Sequence, residues 1–350
     1  MSEYRTLVEA GDFHPATREF FRGRPVAVTG GAGFIGSHVV EQLLLLGAEV
    51  RVLTRLKEAP FLCHLRGSLD VQVCDLGDYG AALRGIEGAS AVLHLAATVA
   101  GLEYNASHPA SIFQDNLTTF FNTIRAAQTA GVDRFLVTSS ACVYPRHCSI
   151  PTPESEGVVG EPEPTNSGYG WAKRMQEYLG KQYQKEFGFS VAIARPYNAY
   201  GPRDNFDQAT SHVIPALIRK AFLSTDGALR VWGDGSHSRS FVYVDDFSRG
   251  LLEVAARYPE ADPLNIGSEE EVSIRAIAEI IASLVSEVRG HEIRPLFDPA
   301  GLTGQPRRMC DTSKAKSLLG FVARVPLKPG LRRTVEWFAT HENRTLPTHP

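Results

Sequence analysis

Short apolar runs rich in β-branched residues alternate with longer segments of helical periodicity over the first half of the chain. The runs lie at residues 26–28, 50–53, 71–73, 91–95, 135–137 and 191–194. Between the first two runs, Val39, Val40, Leu43, Leu44 and Leu46 recur at the spacing of one helix face. Strands that are apolar throughout and separated by helices are typical of a parallel sheet covered on both faces. The pattern therefore predicts an α/β fold with a doubly wound parallel sheet.

The pattern loosens after about residue 194. Loops marked by Gly and Pro follow at 200–202 and 232–235, with helical periodicity near 273–288 and 331–340. We interpret residues 1–24 as an N-terminal extension and 25–194 as the sheet domain. The remainder, 195–350, is predicted to be mainly a smaller α/β substrate-binding domain, from which a stretch at about 239–260 returns to the sheet domain.

Composition and charge exclude several classes of function. The formal net charge is -3, whereas a surface for nucleic acid or for an anionic membrane normally needs a concentrated excess of Lys and Arg. The five cysteines are odd in number and lack metal-ligand spacing, so neither a disulfide framework nor a metal site is expected. No segment approaches the length of a membrane span. We expect a cytoplasmic protein that binds neither nucleic acid nor a membrane.

A glycine-rich turn follows the first predicted strand. Gly30, Gly33 and Gly36 are spaced G-x-x-G-x-x-G between that strand and the first helix. Glycine permits a tight turn and close approach of the backbone to a pyrophosphate, and the helix N-terminus favours negative charge. A purely structural turn is the alternative, but the position between strand and helix favours a dinucleotide site of the Rossmann type.

The residue after the second strand bears on the choice of cofactor. An acidic residue usually binds the ribose hydroxyls of NAD there, but the chain has Arg55. A cation suits the 2′-phosphate of NADP, so NADP is favoured over NAD, although Arg55 could also be a solvated loop charge. Asp75 after the third strand could bind the adenine amino group or could simply form a turn.

Tyr169 and Lys173 are four residues apart, which places them on one face of a helix. An ammonium group near a phenol lowers the pKa of that phenol, so Tyr169 could exchange a proton with a sugar hydroxyl or ketone. Ser140 follows the fifth run and should lie at the carboxyl edge of the sheet, where it could bind the same oxygen. An exposed helix pair is the alternative, but the combination with the glycine turn favours a catalytic trio.

Together these motifs resemble the extended short-chain dehydrogenase/reductase family, also called the NAD-dependent epimerase/dehydratase family. The resemblance covers about residues 25–338 and rests on 30–37, 94–97, Asn116, 139–140, Tyr169 with Lys173, 195–202 and 239–246. It implies a Rossmann domain with a small C-terminal domain, a homodimer and a nucleotide diphosphate sugar as substrate. The residues expected to bind the dinucleotide are Gly30, Gly33, Phe34, Ile35, Gly36, Arg55, Asp75, Leu76, Ala96, Tyr169 and Lys173.

Within the family, residues 140–145, 201–206, 211–217 and 306–311 are similar to the GDP-fucose synthases. That similarity implies 3,5-epimerisation and NADPH-dependent reduction of a GDP-4-keto-6-deoxyhexose, with Cys142 and His212 as the acid/base pair. The alternatives are that Cys142 is a small buried residue that fills space in the core and that His212 is a polar residue at the start of a helix. The stretch 139–142 is closer to the GDP-mannose 3,5-epimerases, which implies as the alternative an epimerase with bound NAD and no net redox change. Expected substrate-binding residues are Asn198, His212, Val213, Arg219, Trp232, Arg239 and Arg307.

Overall fold

The computed structural model describes residues 6–99, 101–299 and 305–341. Its strands are β1 (Pro25–Thr29), β2 (Glu49–Thr54), β3 (Asp70–Val73), β4 (Ala91–His94), β5 (Arg134–Thr138), β6 (Val191–Pro196), β7 (Ala199–Tyr200), β8 (Ala228–Trp232), β9 (Ser238–Ser240), β10 (Val242–Tyr243), β11 (Leu264–Ile266), β12 (Glu271–Ser273), β13 (Arg294–Asp298) and β14 (Arg307–Arg308). Its helices are α1 (Pro15–Phe21), α2 (Phe34–Leu45), α3 (Tyr79–Ile86), α4 (Leu102–Ser107), α5 (Pro109–Thr129), α6 (Ser167–Phe187), α7 (Val213–Leu223), α8 (Val244–Arg257), α9 (Ile274–Arg289), α10 (Ser313–Leu319) and α11 (Leu327–His341).

The central sheet has seven strands in the order β11-β6-β5-β4-β1-β2-β3. All of its pairings are parallel. Each of the six apolar runs forms one of these strands, with ends that differ by one or two residues from the prediction. Apart from the exposed edge strand β3, these strands can be apolar throughout because helices cover both faces. The predicted doubly wound α/β fold is confirmed.

Two apolar layers enclose the sheet. On one face, α1, α2 and α8 bury Phe21, Val39, Leu43, Leu251 and Leu252. On the other face, α3, α5 and α6 cover Ile86, Phe120, Ile124, Val137 and Ile193. The strand order reverses between β1 and β4, and ligands in open α/β sheets bind at such a switch point, at the carboxyl edge.

The second part of the chain has its own core. Helices α7, α9 and α11 pack with β8 and β13 around Ile218, Leu229, Ile277, Ile281 and Leu331. The chain returns to the central sheet through α8 and also through β11, which pairs with β6. That return reaches Ile266, beyond the stretch at 239–260 that the sequence predicted.

The N-terminal segment is folded against the sheet part of the molecule. The Leu7 amide donates to Asp245 at 2.7 Å, and the His14 amide and the Thr17 hydroxyl donate to the two oxygens of Glu253 at 2.9 and 2.7 Å. Both acids lie in α8 and are buried. Because these buried carboxylates receive hydrogen bonds from the segment, their burial is partly compensated.

Within the described ranges, no helix combines the length and the apolar character that a membrane crossing requires.

Candidate active site

The end of β5 and the first turn of α6 bring the predicted trio together. Tyr169 lies in the first turn of α6, and its hydroxyl is near enough to the Ser140 hydroxyl for that group to lower the pKa of Tyr169. Ser140 begins the short 3-10 turn Ala141–Val143, and its Oγ accepts the amide of Cys142 at 3.2 Å. The hydroxyls of Ser140 and Tyr169 are therefore close enough to bind one substrate oxygen.

Lys173 is buried below Tyr169. Its Nζ donates to the Thr138 carbonyl at 2.8 Å and to Gln176 Oε1 at 3.1 Å, and it lies 5.4 Å from the centre of the Tyr169 ring. Burial lowers the pKa of Lys173 to about 8, while Cys142 and Glu177 act in the opposite direction. The amine is thus poised to titrate near neutral pH, which is typical of acid–base sites.

The pKa of Tyr169 differs from the sequence prediction. Burial raises this pKa above its usual value, Cys142 raises it further, and the hydrogen bond from Ser140 acts in the opposite direction. The ammonium of Lys173 was expected to lower it, but that group lies over the ring and donates to Thr138 and Gln176 instead. Tyr169 is therefore a protonated donor in this structure, and the expected lowering is wrong for it.

Two glycines allow the catalytic helix to approach its neighbours. A β-carbon on Gly168 would lie 2.2 Å from the carbonyl oxygen of Pro109, at the start of α5. A β-carbon on Gly170 would lie 2.4 Å from the carbonyl oxygen of Cys142. Both distances are far below van der Waals contact. The sequence Ser167-Gly168-Tyr169-Gly170 therefore places Tyr169 where a bulkier flank would hold it away.

Cys142 lies beside this trio, whereas His212 belongs to another element. The Cys142 thiol is half-buried, and Arg308 Nη1 is 3.9 Å from its sulfur. His212 precedes α7, and within the described ranges no hydrogen-bond partner for its imidazole is found. Surrounding protein atoms lower the pKa of His212 by desolvation, although the residue keeps an exposed surface. Ser211, the residue before it, packs against Gly101 in the loop after β4.

The glycine turn fits a dinucleotide pyrophosphate. Gly30 has a φ of 69°, a left-handed conformation that favours glycine. A β-carbon on Gly36 would lie 2.2 Å from the Gly30 carbonyl oxygen, so only glycine lets α2 start this close to the turn. Gly33 is the N-cap of α2, and Phe34 and Ile35 are half-buried in its first turn. The helix N-terminus is thus presented at the carboxyl edge of the sheet.

The other predicted cofactor residues lie around the same edge. Ala96 donates its amide to Thr29 Oγ1 at 3.1 Å, which joins the ends of β1 and β4. Arg55 directly follows β2 and is exposed, and no described residue forms an ion pair with it. Asp75 is also exposed, and its Oδ1 accepts the amide of Gly77 at 2.9 Å; Leu76 between them is buried. Asp75 thus forms a turn, which was the alternative to its predicted contact with the adenine amino group.

The predicted substrate residues are spread over the second part of the chain. Asn198 Nδ2 donates to the Ser240 carbonyl at 2.8 Å, and Val213 is half-buried in the first turn of α7. Arg219, on the same helix, reaches Gln208 at 3.5 Å. Trp232 is 58% exposed, with the Lys220 ammonium 4.6 Å from its ring centre. An exposed aromatic ring is suited to stacking on a planar ligand.

Of the two predicted arginines, Arg239 lies beside a further arginine, Arg308, whereas Arg307 is paired with a glutamate. Burial, followed by the positive charge of Arg308, lowers the pKa of Arg239 to about 10. Arg307 forms a bidentate ion pair with Glu271 at 2.9 and 2.7 Å. Arg308, which sequence reasoning missed, is in register with Arg239 across β14 and β9 and reaches Cys142.

Residues 26–267 match the profile of the NAD dependent epimerase/dehydratase family. The chain belongs to that family. The assignment confirms the resemblance stated from the glycine turn and the Tyr169/Lys173 pair.

Two curated relatives in this family are similar over nearly the whole chain. The probable GDP-L-fucose synthase 1 of Oryza sativa subsp. japonica is 35% identical over 321 residues, which cover 91% of this chain and 92% of the relative. The dTDP-4-dehydro-6-deoxy-D-allose reductase of a Streptomyces species is 32% identical over 334 residues, covering 93% and 99%. The two relatives differ in the nucleotide that their names give.

A solved family structure has the same fold. The GDP-L-fucose synthetase of Naegleria fowleri bound to NADP superposes with a TM-score of 0.77 at 26% identity and covers 98% of this chain and 97% of that chain. The fold of this epimerase/dehydratase family member therefore extends over both parts of the chain.

Proposed function

We propose that the protein epimerises a GDP-linked 4-keto-6-deoxyhexose at C3 and C5 and then reduces its C4 ketone with NADPH. The observation that carries the proposal is the position of Cys142: its amide donates to Ser140 Oγ at 3.2 Å, and its carbonyl oxygen lies against Gly170, next to Tyr169. Cys142, which would move a proton at a ring carbon, therefore lies beside Tyr169 and Ser140, which would act on the ketone oxygen. Both halves of the proposed reaction can then occur on one bound sugar.

Epimerisation needs two proton-transfer groups. The C4 ketone acidifies the protons on C3 and C5, and inversion requires one group to remove a proton and another to deliver one from the opposite face. We assign these roles to Cys142 and His212, which stand on different elements and can approach a sugar from different sides. Cysteine and histidine both titrate close enough to neutrality to serve.

Reduction uses the trio at the end of β5. When bound, NADPH supplies the hydride for C4. The glycine turn and the start of α2 would hold its pyrophosphate, and Arg55 its 2′-phosphate. Tyr169, whose pKa is raised by burial, donates the proton to the ketone oxygen, and Ser140 binds that oxygen. Lys173 supports Tyr169 and the ribose of the cofactor.

The nucleotide diphosphate would lie on the second part of the chain. Arg239 and Arg308 stand side by side in β9 and β14, and their mutual repulsion contributes to the lowered pKa of Arg239. Two adjacent guanidinium groups favour a bound diphosphate, because it neutralises both. Trp232 is suited to stack on the base, and Arg307 serves to tie β14 to Glu271.

An epimerase that keeps its nicotinamide bound and returns the hydride is the second candidate. The family description includes epimerases, and the same site residues would serve. The two candidates differ in whether NADPH is consumed.

The deciding experiment mixes purified protein with GDP-4-keto-6-deoxymannose and NADPH and follows the absorbance of NADPH. One NADPH consumed per GDP-fucose formed is the expected result. Conversion of GDP-mannose, which carries a C4 hydroxyl, to an epimerised product without NADPH consumption would establish the second candidate, and turnover of the dTDP-linked analogue alone would overturn the assignment of GDP. Absence of any turnover with all three sugars would overturn the proposed reaction class.

We propose a homodimer formed through the outer faces of α5 and α6. These two long helices pack on each other and expose Phe121, Trp171 and Tyr178 at 45%, 36% and 60%. A second copy would cover this apolar stripe by pairing the same two helices. Light scattering should give twice the mass of the chain, and Trp171→Glu should give the monomer. A monomeric wild-type protein would contradict the proposal.

We also propose that the protein acts in the cytoplasm. All five cysteines are free thiols, and three of them are exposed or half-buried. Free thiols persist in a reducing compartment. Fractionation of the native cell, with immunodetection of the protein, tests the location, and recovery from an oxidising compartment would contradict it.

A further inference from the structure

Three residues of α6 contact three consecutive residues at the end of β5. Tyr169 lies near the Ser140 hydroxyl, and Lys173 donates to the Thr138 carbonyl. Glu177 Oε1 accepts the hydroxyl of Ser139 at 2.5 Å. Tyr169, Lys173 and Glu177 are spaced by four residues, so they lie along one face of the helix. The face that carries the catalytic pair therefore continues to a carboxylate one turn further on.

That carboxylate belongs to a buried ion pair. Arg195 donates Nε to Oε1 and Nη2 to Oε2 of Glu177, both at 2.7 Å. Arg195 is 1% exposed and Glu177 is 3% exposed. Arg195 Nη1 also donates to the Tyr144 hydroxyl at 3.2 Å and to the Glu154 carbonyl at 2.6 Å. Burial of both charges is costly, and hydrogen bonds from all three guanidinium nitrogens compensate for part of that cost.

The charged and titratable groups around Lys173 come from several elements. On α6 they are Tyr169 and Glu177; the turn after β5 contributes Cys142. On β4, burial lowers the pKa of His94 to about 3, and its Nδ1 lies 3.2 Å from the Thr29 hydroxyl, so the imidazole is neutral. On β6, Arg195 is paired with Glu177. Glu177 is the carboxylate of this set.

We propose that Glu177, fixed by Arg195, is a positioning residue that keeps Lys173 in its ammonium form beside Tyr169. Its charge opposes the burial that favours the neutral amine. The bidentate pair also holds the carboxylate still, so that its field on Lys173 does not vary with side-chain motion. The inference rests on the proposed function, in which the ammonium of Lys173 would bind the ribose of the cofactor.

The test is a direct titration of Lys173 in protein without substrate. With ¹⁵N-labelled lysine, the side-chain resonance of Lys173 is assigned by its loss in Lys173→Met and followed from pH 6 to 11. In Glu177→Gln, which keeps an oxygen acceptor but removes the charge, the pKa should fall by roughly one unit. The pH above which turnover declines should fall by the same amount.

Two further variants separate charge from packing. Ser139→Ala removes a hydrogen bond to the same carboxylate without removing its charge, so the pKa of Lys173 should stay within about 0.3 unit of the wild type. Glu177→Gln/Arg195→Met removes both charges, and the pKa should fall less than in the single variant. If the unpaired charge of Arg195 prevents Glu177→Gln from folding, the double variant takes its place in the titration.

An unchanged Lys173 pKa in Glu177→Gln, or in the double variant where only that one folds, would overturn the proposal. So would an equal fall in Ser139→Ala, since that would assign the effect to packing. Because the titration requires no turnover, these outcomes are independent of whether the proposed sugar chemistry is correct.

Discussion

The catalytic face of α6 and the substrate side around α7 and β8 are built differently. At α6, Lys173 is buried with two hydrogen-bond partners, and Tyr169 is flanked by glycines that fix its distance to the turn at Cys142. On the substrate side, His212 and Trp232 are exposed, and within the described ranges no hydrogen-bond partner holds either side chain. The first region is organised before any ligand binds, and the second offers surface that a ligand would cover.

This difference indicates a division of labour. Groups that must be aligned with a reacting atom are held by burial and by hydrogen bonds, because small displacements reduce the rate strongly. Groups that recognise a base or a sugar from the solvent side can be loose, and binding then orders them. Substitutions in the first region should therefore affect turnover, and those in the second should affect mainly apparent affinity.

The largest effect is expected for Tyr169→Phe. The change removes the proton-donating oxygen and leaves the ring that packs over Lys173, so turnover should fall by about 10²- to 10⁴-fold while NADPH affinity is retained. Steady-state rates and a fluorescence titration with NADPH measure the two quantities. Tyr178→Phe, on the exposed side of the same helix, is the control and should behave as wild type. More than half of wild-type turnover in Tyr169→Phe would remove this residue from its role.

The next largest effect concerns the proposed epimerisation pair, whose two members lie in the two regions. Cys142→Ser and His212→Asn should each slow exchange of the C3 and C5 protons of the 4-keto sugar with deuterated solvent by about 100-fold. Hydride transfer from NADPH need not fall with it. Mass spectrometry or NMR detects the deuterium.

Cys148→Ser is the matched control, because this thiol is also half-buried and contacts Thr152 rather than the trio. If His212→Asn slows the proton exchange far less than Cys142→Ser does, the His212 imidazole belongs with the loosely held groups of the substrate side. Wild-type exchange in both variants would leave a simple 4-reductase.

A moderate effect is expected for Arg55→Ala. Arg55 is exposed, so its contact with a 2′-phosphate should be worth on the order of 1 kcal/mol, and NADPH affinity should fall about fivefold. NADH affinity should not change, since NADH lacks that phosphate. Arg22→Ala, an exposed arginine at the end of α1, is the control. Equal weakening of both cofactors would contradict the electrostatic role.

The smallest effect is expected for Trp232→Ala. The ring is mostly exposed and one face already meets Lys220, so losing it should raise KM for the GDP-sugar by about two- to fivefold and leave kcat unchanged. Leu296→Ala, an exposed apolar residue on the neighbouring strand β13, is the control. A fall in kcat instead would show that the substrate side also aligns the reacting atoms.

The same contrast explains what could be predicted from the sequence. Except for the exposed edge strand β3, the strands of the central sheet are mostly buried, so their apolar runs mark them directly. The glycine turn and the Tyr169/Lys173 spacing are local patterns. Which of Arg307 and Arg308 lies beside Arg239 cannot be predicted from the local sequence. It depends on how the two-residue strand β14 pairs with β9, since consecutive side chains of a strand point to opposite faces.

Glu177 and the pKa of Tyr169 were not accessible for a related reason. The partner of Glu177 is on β6, and the burial that raises the Tyr169 pKa comes from elements distant along the chain. The roles of His212, Trp232 and Arg239 remain predictions, because their function depends on a bound ligand.

The glycines on either side of Tyr169 limit which substitutions this sequence can accept. Neither Gly168 nor Gly170 takes part in the chemistry, yet any side chain at these positions would have to displace the carbonyl of Pro109 or of Cys142. In a saturation library selected for activity, both should be as depleted of substitutions as Tyr169 itself, while exposed Lys185 near the end of the same helix accepts many. Intolerance to mutation along this helix would then report steric clearance rather than participation in catalysis.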